Sequence, residues 1–258
     1  MTDIKTPEEI EIMRQGGKIL AQVLFEVLKH IKPGITELEI DELADRLITE
    51  KGAEPAFKKV KGYNHATCIS TNNTVVHGIP TSRKLEEGDV VGIDCGVFYR
   101  GLYTDMSETR KVSTNNKQQT TNNTDEIDRF LETGKRALDE AIKASIPGNR
   151  VGHISKTIQN IVEENGYSVV RSLIGHGVGK KLHEDPEVPG FLNKKIEKTP
   201  LLKKGMTIAV EVIYNMGGYG VSYRNSDGWT IVTSDGSVSG LFERTIAITD
   251  GEPRILTV

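Results

Sequence analysis

The sequence has only two cysteines in 258 residues, Cys68 and Cys95, and they stand in no C-x-x-C spacing. That usage offers no disulfide framework and fits a reducing compartment. A basic excess is also missing. The formal net charge of -3 leaves no electrostatic footprint for nucleic acid and no polybasic signal for a membrane. No apolar run approaches transmembrane length, and the acidic-polar start MTDIKTPEEIEIMRQGG has no apolar signal core, so a cytoplasmic protein is expected. What is present, 36% hydrophobic and 27% charged residues, is globular in balance. A chain of this length can bury one large core or two small ones.

Caps and hydrophobic period mark four helices. Thr6-Pro7-Glu8-Glu9 reads as a capping box with proline in the first turn, followed by Ile10, Met13, Leu20, Leu24 and Leu28. Thr36 and Glu39 repeat the box ahead of Ile40, Leu43, Leu47 and Ile48, with Gly52 as the stop. A third helix is expected from about Asp125 to Ile146, and a fourth from Asn149 to Gly166.

The helices are related in pairs. Pro33-Gly34, Ile40 and Gly52 fall on Pro147-Gly148, Ile154 and Gly166 at an offset of 114. At an offset of 117, LEEGDVVGID (85–94) lies over LKKGMTIAVE (202–211), which brings Asp94 onto Glu211. Ordered matches across a helix and a strand imply a duplicated αβ design in a single domain over 1–258, with a first half of about 1–112 and a second of about 126–258. Between them, STNNKQQTTNNTD (113–125) has no apolar residue and is expected as a surface loop.

The chemistry lies in carboxylates that interrupt apolar strands. Asp94 stands inside VVGIDCGVF and Asp105 follows a short turn. A turn centred on Tyr99-Arg100 would set the two opposite each other on one face, where like charges destabilise a ladder. Taken alone, Asp94 reads as a hydrogen-bonded core residue and Asp105 as an ordinary strand-end residue. The second half supplies matching anomalies. Glu211 interrupts TIAVEVIY, and Glu243 sits in GLFERTIAI, the return strand of a hairpin expected to start at GWTIVTS and turn at Asp235-Gly236. His176 is framed by glycines in IGHGVG, which are expected to turn the backbone and leave the imidazole unobstructed. Buried charges persist when paired or when they bind a metal. An oxygen-rich set with one nitrogen suits Mn, Fe(II), Co or Zn, and water between two such ions is a nucleophile near neutral pH.

VVHGIP (75–80), GIDCGVFYRGLYTD (92–105), GHGVGKKLHEDP (175–186), VEV (210–212) and LFERT (241–245) together resemble the type I methionine aminopeptidases, along nearly the whole chain. The resemblance implies an α+β pita-bread fold, two pseudo-two-fold αβ halves around a curved antiparallel sheet. It implies two divalent ions (Co, Mn, Fe(II) or Zn) held by Asp94, Asp105, His176, Glu211 and Glu243. The implied reaction removes the initiator methionine from nascent polypeptides when the next residue is small, by attack of a metal-bound hydroxide on the scissile carbonyl. Glu211 would also manage the nucleophile's proton, His183 would stabilise the tetrahedral intermediate, and His77 would contact the scissile amide. Tyr63, Cys68 and Trp229 would line the methionine pocket, with Phe57 and Leu182 as further candidates. A monomer is expected, and ribosome docking is left open.

Three positions depart from the family pattern: Asn73 replaces a frequent glutamate, Val212 a frequent proline, and Arg244 a frequent histidine. They bear on pocket shape, metal affinity and rate. Two other readings stand beside the main one. One is an Xaa-Pro aminopeptidase or prolidase of the same fold, disfavoured because the first half-repeat uses up the residues before Asp94. The other is a non-catalytic relative binding protein or RNA, disfavoured because all five ligand positions hold competent side chains.

Overall fold

The computed structural model describes residues 3–114, 126–224 and 227–258. The loop expected over 113–125 lies outside these residues from 115 onward. Both capping boxes form. Thr6 Oγ1 accepts from the Glu9 amide while the Glu9 carboxylate accepts from the Thr6 amide, which opens α1 (Pro7–Lys29). Thr36 and Glu39 do the same for α2 (Glu37–Glu50). Each box satisfies two amides that would otherwise be orphaned at a helix start. Helix α3 spans Glu126–Lys143 and stops before the expected Ile146, since the residue ahead of Pro147 is disfavoured in helical geometry. Helix α4 spans Val151–Glu164.

The first half contributes β1 (Glu54–Pro55), β2 (Thr67–Thr71), β3 (Thr74–Val76), β4 (Val90–Tyr99) and β5 (Leu102–Lys111). The second contributes β6 (Ser168–Val169), β7 (Gly175–Gly177), β8 (Glu184–Val188), β9 (Thr207–Asn215), β10 (Val221–Tyr223), β11 (Ile231–Thr233), β12 (Ser239–Ala247) and β13 (Arg254–Ile255). The main antiparallel sheet runs β1-β4-β5-β12-β9-β7-β8, with β2 on β4, β6 on β9 and β13 on β12. A small sheet runs β10-β11-β3.

Alternation along the strands divides the main sheet into two faces. Val91, Ile93, Cys95 and Val97 of β4 join Leu20, Leu24, Ile40 and Ile48 of α1 and α2 in one core. Ile208, Val210, Val212 and Tyr214 of β9 join Phe130, Leu138, Ile154 and Ile158 of α3 and α4 in another. The helices therefore cover one face, and the residues between these positions point to the other. The duplication is visible in the backbone. Helix α2 moved by 114 has the bounds of α4, and the isolated bridge Thr36–Lys84 recurs as Arg150–Leu201. Gly34, Gly52 and Gly88 adopt positive φ, as do their counterparts Gly148, Gly166 and Gly205.

Two local expectations are corrected. The β4–β5 turn centres on Arg100-Gly101, with φ of 48° and 88°, one residue later than expected. A two-residue type I′ hairpin turn needs positive φ at both central positions, and glycine supplies the second most readily. Asp94 consequently pairs with Ser107, and Asp105 with Gly96. Partners move by two residues, so Asp94 and Asp105 stay on one face but lie diagonally. The second correction concerns β11 and β12. Gly236 does turn the chain, with φ of 77°, but the strands part: β11 pairs with β10 and β3. Strand β12 is buried on both faces and instead forms a nine-residue ladder with β9 while contacting β5. A long central ladder satisfies more backbone groups than a three-residue strand could. Among the described residues no helix is long and apolar enough to cross a membrane.

Candidate metal centre

Register alone assembles the site. Cys68 pairs with Asp94, Asp94 with Ser107, Ser107 with Glu243, and Glu243 with Glu211, a continuous row across five strands. Asp105 lies two residues from Ser107, and His176 pairs with Ala209, two residues from Glu211. Period-two alternation therefore turns all four carboxylates and the imidazole to the face opposite the helices.

These side chains converge on one cavity of about 310 Å³. One candidate ligand atom from each of Asp105, His176 and Glu243 lies within 4.8 Å of the others, and Asp94 and Glu211 line the same space. Asp105 is braced across the halves, its amide donating to Thr245 Oγ1 at 2.9 Å and its carbonyl accepting from that hydroxyl at 2.8 Å. Glycines set His176, though not by turning the chain. Residues 175–177 are an extended strand, and a Cβ on Gly175 would sit 2.5 Å from the Ala209 carbonyl oxygen. On Gly177 it would sit 2.2 Å from that of Asp185, so the glycines permit β7 to pack closely between β9 and β8.

The electrostatics show what the arrangement can hold. Burial pushes Asp105 up to about 7, and burial together with Asp105 pushes Glu211 up to about 8. Asp94 and Glu243 are driven well above the usual carboxylate range by burial and then by neighbouring carboxylates. Among the described residues, none of the four forms an ion pair with lysine or arginine, and Asp94 Oδ1 has no hydrogen-bond partner. His176 Nδ1 lies 2.9 Å from the Gly177 carbonyl oxygen, an arrangement that makes Nδ1–H the donor and leaves the Nε2 lone pair free. Burial, reinforced by His183, lowers His176 to about 4, so the ring is neutral at pH 7. Buried, unneutralised oxygens beside one neutral imidazole nitrogen fit divalent cations of the first transition row.

The rest of the cavity is a half-apolar pocket. Phe57, Tyr63, Cys68, Leu182 and Trp229 line it with His77 and His183. Tyr63 meets Trp229 edge-on, with ring centroids 5.0 Å apart, and its hydroxyl donates to the Thr67 carbonyl at 2.8 Å. Burial and then Asp94 raise the Cys68 thiol, which therefore stays protonated. His77 follows β3 with φ of 55°, an uncommon value for a non-glycine residue, and burial lowers its pKa. The His183 ring lies 4.3 Å from that of His176. The sequence reading missed Leu173, Ile174, Val76 and Ile213, which add to the apolar wall. Their only signal was adjacency to the GHG, HGIP and VEV motifs.

The other three of the six histidines lie elsewhere. His65 Nδ1 meets Asp41 at 2.9 Å, His30 bonds the Glu26 carbonyl, and His153 accepts from the Arg150 amide at the start of α4. Val212 is in the helix-side core, and Arg244 turns to Glu108 and to the Ser107 and Glu243 carbonyls. Asn73 accepts from Arg224. None of these three lines the cavity.

A duplicated αβ sheet with a carboxylate-rich buried centre defines a pita-bread metalloenzyme. Residues 11–250 match the model of metallopeptidase family M24, and the chain belongs to that family. It is 42% identical over 258 residues to a methionine aminopeptidase of Clostridium perfringens, covering 100% of this chain and 99% of the relative. The crystal structure of a methionine aminopeptidase from Thermotoga maritima superposes with a TM-score of 0.92 at 42% identity, covering 100% and 99% of the two chains. A prolidase from Pyrococcus furiosus gives a TM-score of 0.75 at 26% identity, with 99% of this chain but 65% of the prolidase covered.

Proposed function

We propose that the chain is a metal-dependent methionine aminopeptidase, one catalytic unit over residues 1–258, acting in the cytoplasm on the N-termini of nascent polypeptides. The observation that carries this reading is the convergence of four buried carboxylates, His176 and an aromatic-lined pocket on one cavity. In this reading Asp94, Asp105, His176, Glu211 and Glu243 hold two divalent ions, of Co, Mn, Fe(II) or Zn. Such ions supply a water nucleophile near neutral pH and polarise the scissile carbonyl.

The chain's own groups do the rest. Tyr63, Cys68 and Trp229, with Phe57 and Leu182, seat the methionine side chain beside the carboxylates and exclude water from it. Glu211 receives the nucleophile's proton on its carboxylate. His183 donates a hydrogen bond to the carbonyl oxygen as that atom gains charge, and His77 donates to the departing amide nitrogen. His77 and His183 line the same cavity beside the scissile bond in this reading, and a small second residue is the one that fits between them.

The competing prolidase reading predicts a preference for a proline-containing bond. Metal-loaded enzyme offered Met-Gly-Met and a Leu-Pro peptide should hydrolyse the first. Preferential cleavage of the Leu-Pro peptide would overturn the assignment.

A further inference from the structure

One buried cation lies outside the chemistry described so far. Lys5 precedes α1, its amide donates to the Gly205 carbonyl at 2.8 Å, and its side chain is 0% exposed. Its Nζ lies 2.5 Å from Glu184 Oε2; the second carboxylate, Asp3, is 3.4 Å away, 40% exposed and shared with Lys180. Nζ also donates to the Asp3 carbonyl at 3.5 Å. Glu184 is therefore the partner that matches Lys5 in burial.

Glu184 is the residue after His183. Its other oxygen, Oε1, accepts from the Lys181 amide at 2.9 Å and so closes the segment that carries the histidine. The same segment packs on the lysine stem: a Cβ on Gly179 would lie 2.1 Å from Lys5 Cε. It is tied down further by Tyr103, whose amide donates to the Gly179 carbonyl at 2.7 Å, and by the pairing of Glu184 with Gly177. A surface ion pair would hold little, but a buried one fixes geometry because separating its charges leaves each without solvent or partner.

We propose that Lys5 is a positioning residue for His183, acting through the Glu184 carboxylate. This rests on the reading of His183 as the donor to the charged intermediate. The N-terminal segment then contributes to the reaction without touching substrate, by holding the 179–184 loop at the cavity wall.

The test is a double-mutant cycle on Met-Gly-Met with metal-loaded wild type, Lys5→Met, His183→Ala and the double variant, with metal content measured for each. Methionine keeps the length of the lysine stem and removes its charge. Lys5→Met should lower kcat by about ten- to a hundredfold with KM within about twofold and metal content unchanged, because small misplacements of a catalytic group have that effect. In the His183→Ala background the same change should cost less than about twofold, since the group it positions is gone. A Lys5→Met enzyme with wild-type kcat, or losses that multiply in the double variant, would overturn the proposal while leaving His183 catalytic. A His183→Ala enzyme with wild-type kcat would overturn both readings. Should Lys5→Met fail to fold, Glu184→Gln, which keeps the side-chain shape and an acceptor for the Lys181 amide, enters the same cycle with the same outcomes.

Discussion

Glu211 and Glu243 face each other directly across the β9–β12 ladder, in the row that joins the two halves of the sheet. Opposed like charges destabilise a ladder, and Asp94 and Asp105 add two more carboxylates from the first half. Among the described residues, no lysine or arginine pairs with these four acids.

Removal of metal should therefore loosen the centre of the protein. Chelation should lower the melting temperature by about 5–10 °C, in line with losing a ligand held well above its dissociation constant. Hydrogen exchange should speed up first in β4, β5, β9 and β12, and added divalent ions should reverse both effects.

The pH dependence of the metal-free protein follows from the raised carboxylates. Asp105 is pushed up to about 7 and Glu211 to about 8, whereas both titrate near ~4 in an unfolded chain. Between those limits the folded state holds protons that the unfolded state has released, so stability falls as pH rises. Denaturant melts of chelated protein should show it more stable at pH 5.5 than at pH 8.5. Saturating metal should flatten or invert that slope, because the cation replaces the protons.

Val212 and Arg244 depart from the family pattern without reaching the cavity. Val212 is buried among α3 and α4 side chains, so Val212→Ala should cost about 2 kcal/mol of stability for its two lost methyl groups. The kcat and KM of the folded fraction should stay within about twofold of wild type. Paired denaturation and steady-state assays check both halves of that statement.

Trp229 is half-buried against Tyr63 in the wall of the pocket. Trp229→Ala should raise KM for Met-Gly-Met by about tenfold with a smaller change in kcat, because the proposed contact with methionine would be made in ground and transition states alike. Thermal melts should move little.

Much of this was legible in the sequence because the physics is local. The two threonine capping boxes, the positive-φ glycines and the offsets of 114 and 117 each point to a short-range geometry that the structure adopts. Asp94 and Glu211 stood out because each carboxylate interrupts a continuous apolar run. The pairing of strands was less legible. The Arg100-Gly101 turn carries its signal in the glycine, yet a one-residue error moved Asp94 from Ser107 to Asp105. The fate of β12 depends on two distant partners, β5 and β9, which no local pattern around Asp235-Gly236 encodes. Leu173 and Ile174 were missed because an apolar residue beside a motif looks like any core residue until the cavity is closed around it.

Asp105→Ala tests the metal-centre reading most directly. The Asp105 backbone bonds to Thr245 survive the change, so the substitution removes the carboxylate and leaves the scaffold. Elemental analysis and Met-Gly-Met hydrolysis on the same preparation should show about two ions per chain in wild type, with both bound metal and activity lost in the variant. Undiminished hydrolysis by Asp105→Ala would contradict a dinuclear centre built on these carboxylates.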